Sequence, residues 1–409
     1  MHIIFTAPDF PASQRQFVRA LAQSGAYVSG IGESAPHHLD AELKSWLGQY
    51  EQVHNISDEE AVFHAVRRIQ QRGPWVHRFE TTIESHMLMV ARVRERTKIP
   101  GMCVDTVNLC RDKFRMKQFL HKRGIPCARH AEIRRAQDAH NFVKQNGFPV
   151  ILKPRDGAGA HATYRINNQE VLQSALLETG IQHAQHAYFT MEAFVQGHEG
   201  FYDTLTCNGQ VVFEGICHYY PNVLEAMRTR WISPQIVITN QIDAPGYQEL
   251  RRFGREIISA FGLETTATHM EWFSQGAEPI FSEIGARPPG CYLWELYNMA
   301  NDFDLYQAWA QALVHQNTQP QPSRRFAAGL IALRPKHDGV ISGITGIEET
   351  YARYGDCIVR AHFPSPGTPT SPVEAGYLAN AWVWVRHPNY DTCRAILDHI
   401  GQIVDVWAQ

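Results

Sequence analysis

Residues 268–290 read THMEWFSQGAEPIFSEIGARPPG. Alternating runs flank a glycine-containing turn centred near Ala277, so the stretch predicts a β-hairpin. In a hairpin, residues equidistant from the turn face one another. Glu271 then opposes Glu283, Phe273 opposes Phe281, and His269 opposes Gly285, with their side chains on one face. Two carboxylates about 5 Å apart on a pleated surface repel one another unless something positive lies between them. A hard divalent cation is the natural candidate, and Mg²⁺ carrying phosphates needs only one or two protein carboxylates. Two solvated glutamates on an exposed face fit the spacing as well, and spacing alone leaves both readings open.

Working outward, residues 148–154 (FPVILKP) form a compact apolar strand that ends in Lys153, followed by 155–160 (RDGAGA). A lysine is out of place in a buried strand, and small residues directly after it let backbone N–H groups approach phosphate oxygens while the ammonium supplies a point charge. A snorkelling edge lysine before a flexible loop is the plainer alternative. Residues 189–199 (FTMEAFVQGHE) combine a strand, an acidic residue and a glycine turn. Such a segment can offer backbone groups to an adenine edge and a carboxylate to ribose hydroxyls, or it can be an ordinary strand ending in a polar turn. A helix over 112–123 stops at Gly124, before Ile125-Pro126.

The rest of the chain fixes class and organisation. At 409 residues it exceeds one ordinary core, so roughly two to four domains or subdomains are expected. Hydrophobic residues make up 44% and charged residues 19%, as in a globular protein. The formal charge of -3 gives no electrostatic case for a nucleic-acid or membrane partner, which leaves small molecules. The eight cysteines are scattered without a C-x-x-C pair and read as reduced thiols, and the 21 histidines show no metal spacing. The N-terminus MHIIFTAPDF lacks a basic region followed by a long apolar run, so a cytoplasmic enzyme is expected. A strand at 2–6, a helix over 13–24 and a strand at 27–31 make a βαβ opening. Gly30-Ile31-Gly32 follows the second strand and lacks the third glycine, so it is no dinucleotide fingerprint. Residues 316–323 read as a linker to a strand-rich tail with period-2 runs at 329–333 and 381–385.

In order and spacing, the lysine of RDKFRMKQFL (Lys113), the strand lysine of VILKP (Lys153), the glycine loop, MEAFVQGHE and SEIGARPPG resemble the ATP-grasp superfamily. The likeness carries specific motifs over roughly residues 75–320 and is strongest to the L-amino acid ligases. It implies an α/β chain, α+β in the grasp region. A doubly wound domain would span 1–105, a two-part grasp domain 106–318 (106–190 and 191–318), and a strand-rich C-terminal domain 319–409. It further implies that Lys113 and Lys153 contact the phosphates of ATP, that Gly157 and Gly159 belong to a loop closing over them, that Glu192 and the Val195 backbone hold adenine, and that Glu199 holds ribose. Glu271 and Glu283 would hold Mg²⁺, with Mn²⁺ as an alternative, and Arg287 would face the transferring phosphate as a catalytic residue beside Lys153.

Arg287-Pro288-Pro289-Gly290 resembles the ligases' carboxylate-gripping loop. Glu84 and His218 are candidates for the rest of the pocket, with Trp231 and Trp294 as walls, although each alone also reads as structural. One departure matters: Gly285 stands where the superfamily usually has asparagine, so a coordination position would fall to water, substrate or a neighbour such as His269. The implied reaction joins a carboxylate and an amine, both expected to be amino acids, through an acyl phosphate, and a homodimer is compatible with it. Two rivals remain. A biotin-carboxylase-like enzyme would need a carrier, and no methionine-flanked lysine is present. A regulatory module without catalysis has only Gly285 in its favour.

Overall fold

The computed structural model describes residues 1–157, 162–276 and 278–409, so Gly159 and the turn residue Ala277 lie outside the described residues. The chain opens with four parallel strands: β1 (His2–Thr6), β2 (Tyr27–Gly32), β3 (Gln49–Gln52) and β4 (Arg78–Glu80), in the order β3-β2-β1-β4. Every residue of β1 is buried, as expected of a strand covered on both faces. Ile3 and Phe5 pack with Phe17, Val18 and Leu21 of the helix Gln14–Gln23, whereas Ile4 packs with Val62, Val66 and Ile69 of the helix Glu59–Arg72. The doubly wound expectation therefore holds.

A second sheet, β5 (His130–Ile133), β6 (Val150–Pro154), β7 (Tyr164–Ile166) and β8 (Phe189–Ala193), has the order β5-β8-β6-β7 and antiparallel neighbours. Val150, Leu152 and Met191 point into a core roofed by the helices Ala136–Asn146 and Gln169–Glu178. The alternate residues, Lys153 and Glu192 among them, occupy the other face.

The remaining strands are β9 (His198–Cys207), β10 (Gln210–Tyr220), β11 (Gln235–Ile238), β12 (Ala267–Gln275), β13 (Glu278–Gly285), β14 (Ala327–Leu333), β15 (Ile341–Thr345), β16 (Ile358–His362), β17 (Ala381–His387) and β18 (Asp405–Ala408). Eight of them form one antiparallel sheet in the order β13-β12-β9-β10-β11-β14-β17-β16, and β15 pairs with β18. The strand-rich tail is therefore not a sheet of its own, because β14 hydrogen-bonds β11 across the expected boundary at 318/319. The strand expected at 329–333 lies within β14. All seven β14 residues are buried, Leu330 and Ala332 in one core and Ile331 and Leu333 in another beneath the helix Tyr390–Ile403. Among the described residues no helix is long and apolar enough to cross a membrane.

Glu214 on β10 fastens the helix Gln248–Phe261 to this sheet. It accepts from Tyr202 Oη at 2.5 Å, Arg251 Nη2 at 2.8 Å and Arg255 Nη2 at 2.7 Å. Burial alone would raise its carboxyl, but Arg255 and Arg251 outweigh burial and hold it at about 2. A depressed folded value stabilises the protein above the ordinary 4.5, and that stability is lost as pH falls from there toward 2. Glu214→Gln is expected to cost about 2 kcal/mol at neutral pH. Urea melts of both proteins should also show a smaller acid sensitivity between these pH values in the variant.

Candidate functional site

The free face of β6 and β8, the segment 193–199, the turn at 222–229 and the hairpin β12–β13 enclose a cavity of about 850 Å³, a size typical of ligand pockets. Lys113, Lys153, Gly157, Glu192, Val195, Glu199, Glu271 and Glu283 all line it. The hairpin register pairs Glu271 with Glu283 and His269 with Gly285, as expected. It does not pair Phe273 with Phe281. A bulge after Glu271 leaves Ser282 as the extra residue, so Phe281 faces Trp272 and Phe273 faces Ile280.

Charge alternates through the cavity wall. Lys117 Nζ lies 2.9 Å from Glu192, Lys153 Nζ 3.1 Å from Glu192 and 3.9 Å from Glu283, and Lys113 Nζ 3.2 Å from Glu283. Burial alone would raise the Glu283 carboxyl, yet Lys113, Lys153 and Lys117 hold it at about 2. Glu192 is lowered, against burial, by Lys117 and Lys153. Against burial, Glu192 and then Glu283 raise the Lys153 ammonium and so keep it in the charged state that phosphate oxygens require. Glu199 Oε2 accepts from the Val223 N–H at 2.7 Å, and burial, followed by the charge of Glu271, pushes its carboxyl up. The backbone N–H of Val195 has no hydrogen-bond partner among the described residues.

A second cavity, about 570 Å³, lies between the loops after β1 and β4 and the stretch from Arg287 to Glu295. Glu84, Arg287, Gly290 and Trp294 line it. Arg287 donates to Glu84 Oε2 through Nε at 2.8 Å and through Nη2, while Arg111 Nη1 lies 3.1 Å from Glu84 Oε1. The two cavities meet at a seam in which residues 111–113 are stitched to 155–157. Arg111 Nη2 donates to the Asp156 carbonyl at 3.1 Å, Asp112 accepts from Arg155 Nε at 2.9 Å, and Lys113 donates from its backbone to the Arg155 carbonyl at 2.8 Å and from Nζ to the Gly157 carbonyl. Arg111 and Asp156 face the second cavity; Lys113 and Gly157 face the first.

Two expectations need correction. His218 lines neither cavity. It sits on β10 between His198 Nε2 at 2.8 Å and the Tyr247 hydroxyl at 2.7 Å, where burial and then His198 drive its imidazole down to about 3. Trp231 is 82% exposed and walls neither cavity. His269, opposite Gly285, has Nδ1 2.7 Å from Asp203 and Nε2 3.8 Å from Glu271, and Asp203, against burial, raises its imidazole to about 9. Among the described residues no three His, Cys, Asp or Glu groups gather as a metal cluster. Glu271 and Glu283 are the carboxylates that a hard cation could use at this cavity, with the rest of its shell from elsewhere.

Lys117, Arg111, Asp112 and Arg155 were missed. Lys117 had a legible signal, since it follows Lys113 by four residues and shares its helix face. The Asp112–Arg155 pair joins distant segments and had none.

The family model described as carbamoyl-phosphate synthase L chain, ATP binding domain, matches residues 112–199. The chain is 24% identical over 310 residues to the L-arginine-specific L-amino acid ligase of Bacillus subtilis, covering 74% of this chain and 73% of that protein. It is 24% identical over 258 residues to the alanine–anticapsin ligase of Bacillus subtilis (strain 168), covering 58% and 53%. In fold it is similar to the L-amino acid ligase from Bacillus licheniformis, with a TM-score of 0.76 at 18% identity over 100% of this chain and 98% of the other. The phosphoribosylglycinamide synthetase from Anaerococcus prevotii gives 0.69 at 16% identity, covering 100% and 99%.

Proposed function

We propose that the chain, which resembles the ATP-grasp superfamily and is similar to L-amino acid ligases, joins two amino acids through an acyl phosphate. The observation that carries the reading is the pair of cavities, one rimmed by lysines and the other ending at Arg287 and Glu84, that share the seam at 111–113 and 155–157. ATP would occupy the first, with Lys113 and Lys153 at its phosphates, the Val195 N–H at the adenine edge and Glu199 at the ribose. Glu192 is better read as the clamp of Lys117 and Lys153 than as an adenine contact, because both ion pairs occupy its carboxylate.

The carboxylate substrate would lie in the second cavity with Arg287 beside it and attack the γ-phosphate across the seam. Mg²⁺, or Mn²⁺, held by Glu271 and Glu283, would offset charge on the phosphate oxygens. Lys113 and Lys153 add two fixed cations at the same oxygens, and Arg287 neutralises the acyl phosphate that forms. An amine then attacks the activated carbonyl, phosphate leaves, and a peptide or amide bond remains. The chain's own contribution is positioning and charge, in a site of which both carboxylates and two of the lysines are walls.

Phosphate release from ATP should be measured across all pairs of L-amino acids. Pair-dependent release supports the reading; release with bicarbonate alone would replace it by a carboxylase-like one, and no release with any carboxylate would leave a nucleotide-binding module. A further expected result concerns Gly285. A Cβ built there meets nothing closer than Arg287 Cγ at 3.4 Å, an ordinary contact, so Gly285→Asn should be accommodated. It should lower the Mg²⁺ concentration for half-maximal ADP formation several-fold, on the order of 1 kcal/mol, read in a Mg²⁺ titration; an unchanged midpoint would show that the position is irrelevant to the metal.

A further inference from the structure

Glu84 is held by two guanidiniums, Arg287 and Arg111, although one cation is enough to balance one carboxylate. On the reading proposed above, on which this inference rests, the substrate carboxylate needs Arg287. If Arg287 were the sole partner of Glu84, its transfer to the substrate would strand a half-buried carboxylate beside an incoming anion, and like charges at that distance oppose binding. The second guanidinium removes that conflict.

We infer that Arg111 is a positioning residue which keeps Glu84 paired while Arg287 passes to the substrate carboxylate. Its geometry suits the task. Nη1 reaches both the Glu84 carboxylate, at 3.1 Å, and the Glu84 carbonyl, at 3.1 Å, so it fixes the backbone as well as the side chain. Nη2 is anchored on the Asp156 carbonyl, in the seam, by a contact that substrate does not need to break. Arg111 thus belongs to the wall and stays in place when Arg287 changes partner. With one Glu84 oxygen still on Arg111, the oxygen released by Arg287 is free to accept from a substrate ammonium. The cavity then presents a cation, Arg287, and an acceptor, Glu84, to the two charged ends of one α-amino acid. Lysine at 111 would retain the charge but not the planar fork that spans Glu84 and Asp156.

The test is initial-rate kinetics of the full chain with a productive amino acid pair, comparing wild type, Arg111→Gln, Arg111→Lys, Glu84→Gln and the double variant Arg111→Gln/Glu84→Gln. Arg111→Gln should raise KM for the activated amino acid about tenfold or more while KM for ATP stays within about twofold. Arg111→Lys should recover part of the loss, and the double variant should be no worse than the poorer single one, because Arg111 acts through Glu84. An unchanged KM for the amino acid, losses that multiply in the double variant, or a parallel rise in KM for ATP would overturn the assignment. Should Arg111→Gln fail to fold, the Arg111→Lys and Glu84→Gln comparison decides alone: the role requires both to raise the same KM. Turnover by the wild type with no dependence on Arg111 sinks this role only, whereas no wild-type turnover with any amino acid sinks the ligase reading and this role with it.

Discussion

Glu283→Gln is expected to lower kcat for ADP formation by about 10³-fold or more, with little loss of fold. The carboxylate lies 3.2 Å from Lys113 Nζ and 3.9 Å from Lys153 Nζ, and these lysines keep it ionised far below any working pH. It is the point at which the metal and the lysines would act on the same oxygens. Glutamine keeps the shape and removes the charge, so the loss would be of electrostatics rather than packing. Lys153 retains Glu192 as a partner, and Lys113 retains the Gly157 carbonyl, which is why stability should largely survive. Single-turnover measurement with saturating nucleotide separates this from weaker binding: a variant whose rate recovers fully at high ATP and Mg²⁺ would show that Glu283 merely binds.

Glu192→Gln should be the most destabilising single change at the site, by about 3–5 kcal/mol, the usual cost of breaking a buried ion pair from one side. Lys117 is fully buried, and among the described residues Glu192 is its one carboxylate at ion-pair distance. Burial, with a contribution from Lys153, already lowers the Lys117 ammonium, and Glu192, followed by Glu283, opposes that. Without Glu192, Lys117 would keep the Ser282 carbonyl and the face of the Phe281 ring but no ion-pair partner among the described residues, and the strand segment that carries the cavity wall would lose its clamp. Lys117→Met, by contrast, leaves Glu192 paired with Lys153 and should cost clearly less. Denaturant melts of the two variants check this ordering, and a larger loss in Lys117→Met would reverse the assignment of which partner depends on the other.

Much of this was legible in sequence because it is local. The hairpin at 268–290 brings Glu271 and Glu283 together through spacing alone, and the lysine that is out of place in the apolar strand VILKP lies on the face of β6 that lines the first cavity. The Phe273–Phe281 pairing failed because a bulge adds a residue to one strand without changing the apolar pattern that predicts pairing. His218 and Trp231 were read as pocket residues for their side-chain chemistry, and only the direction of β10 and the exposure of Trp231 decide against them. The tail looked like a separate domain because its boundary was drawn at a polar linker. Which sheet β14 joins depends on a non-local pairing with β11, about ninety residues upstream, that no local pattern encodes. The seam of 111–113 on 155–157 is similarly invisible in either segment alone, yet it is what separates the two cavities.

The central claim is that a carboxylate of the substrate takes the γ-phosphoryl group of ATP, and oxygen transfer tests it most directly. The productive amino acid, labelled with ¹⁸O in its carboxylate, is turned over with ATP and the second amino acid, and the released phosphate is weighed by mass spectrometry. An acyl phosphate predicts one ¹⁸O carried into each phosphate, with ADP as the nucleotide product; unlabelled phosphate, or AMP and pyrophosphate in place of ADP, would contradict it.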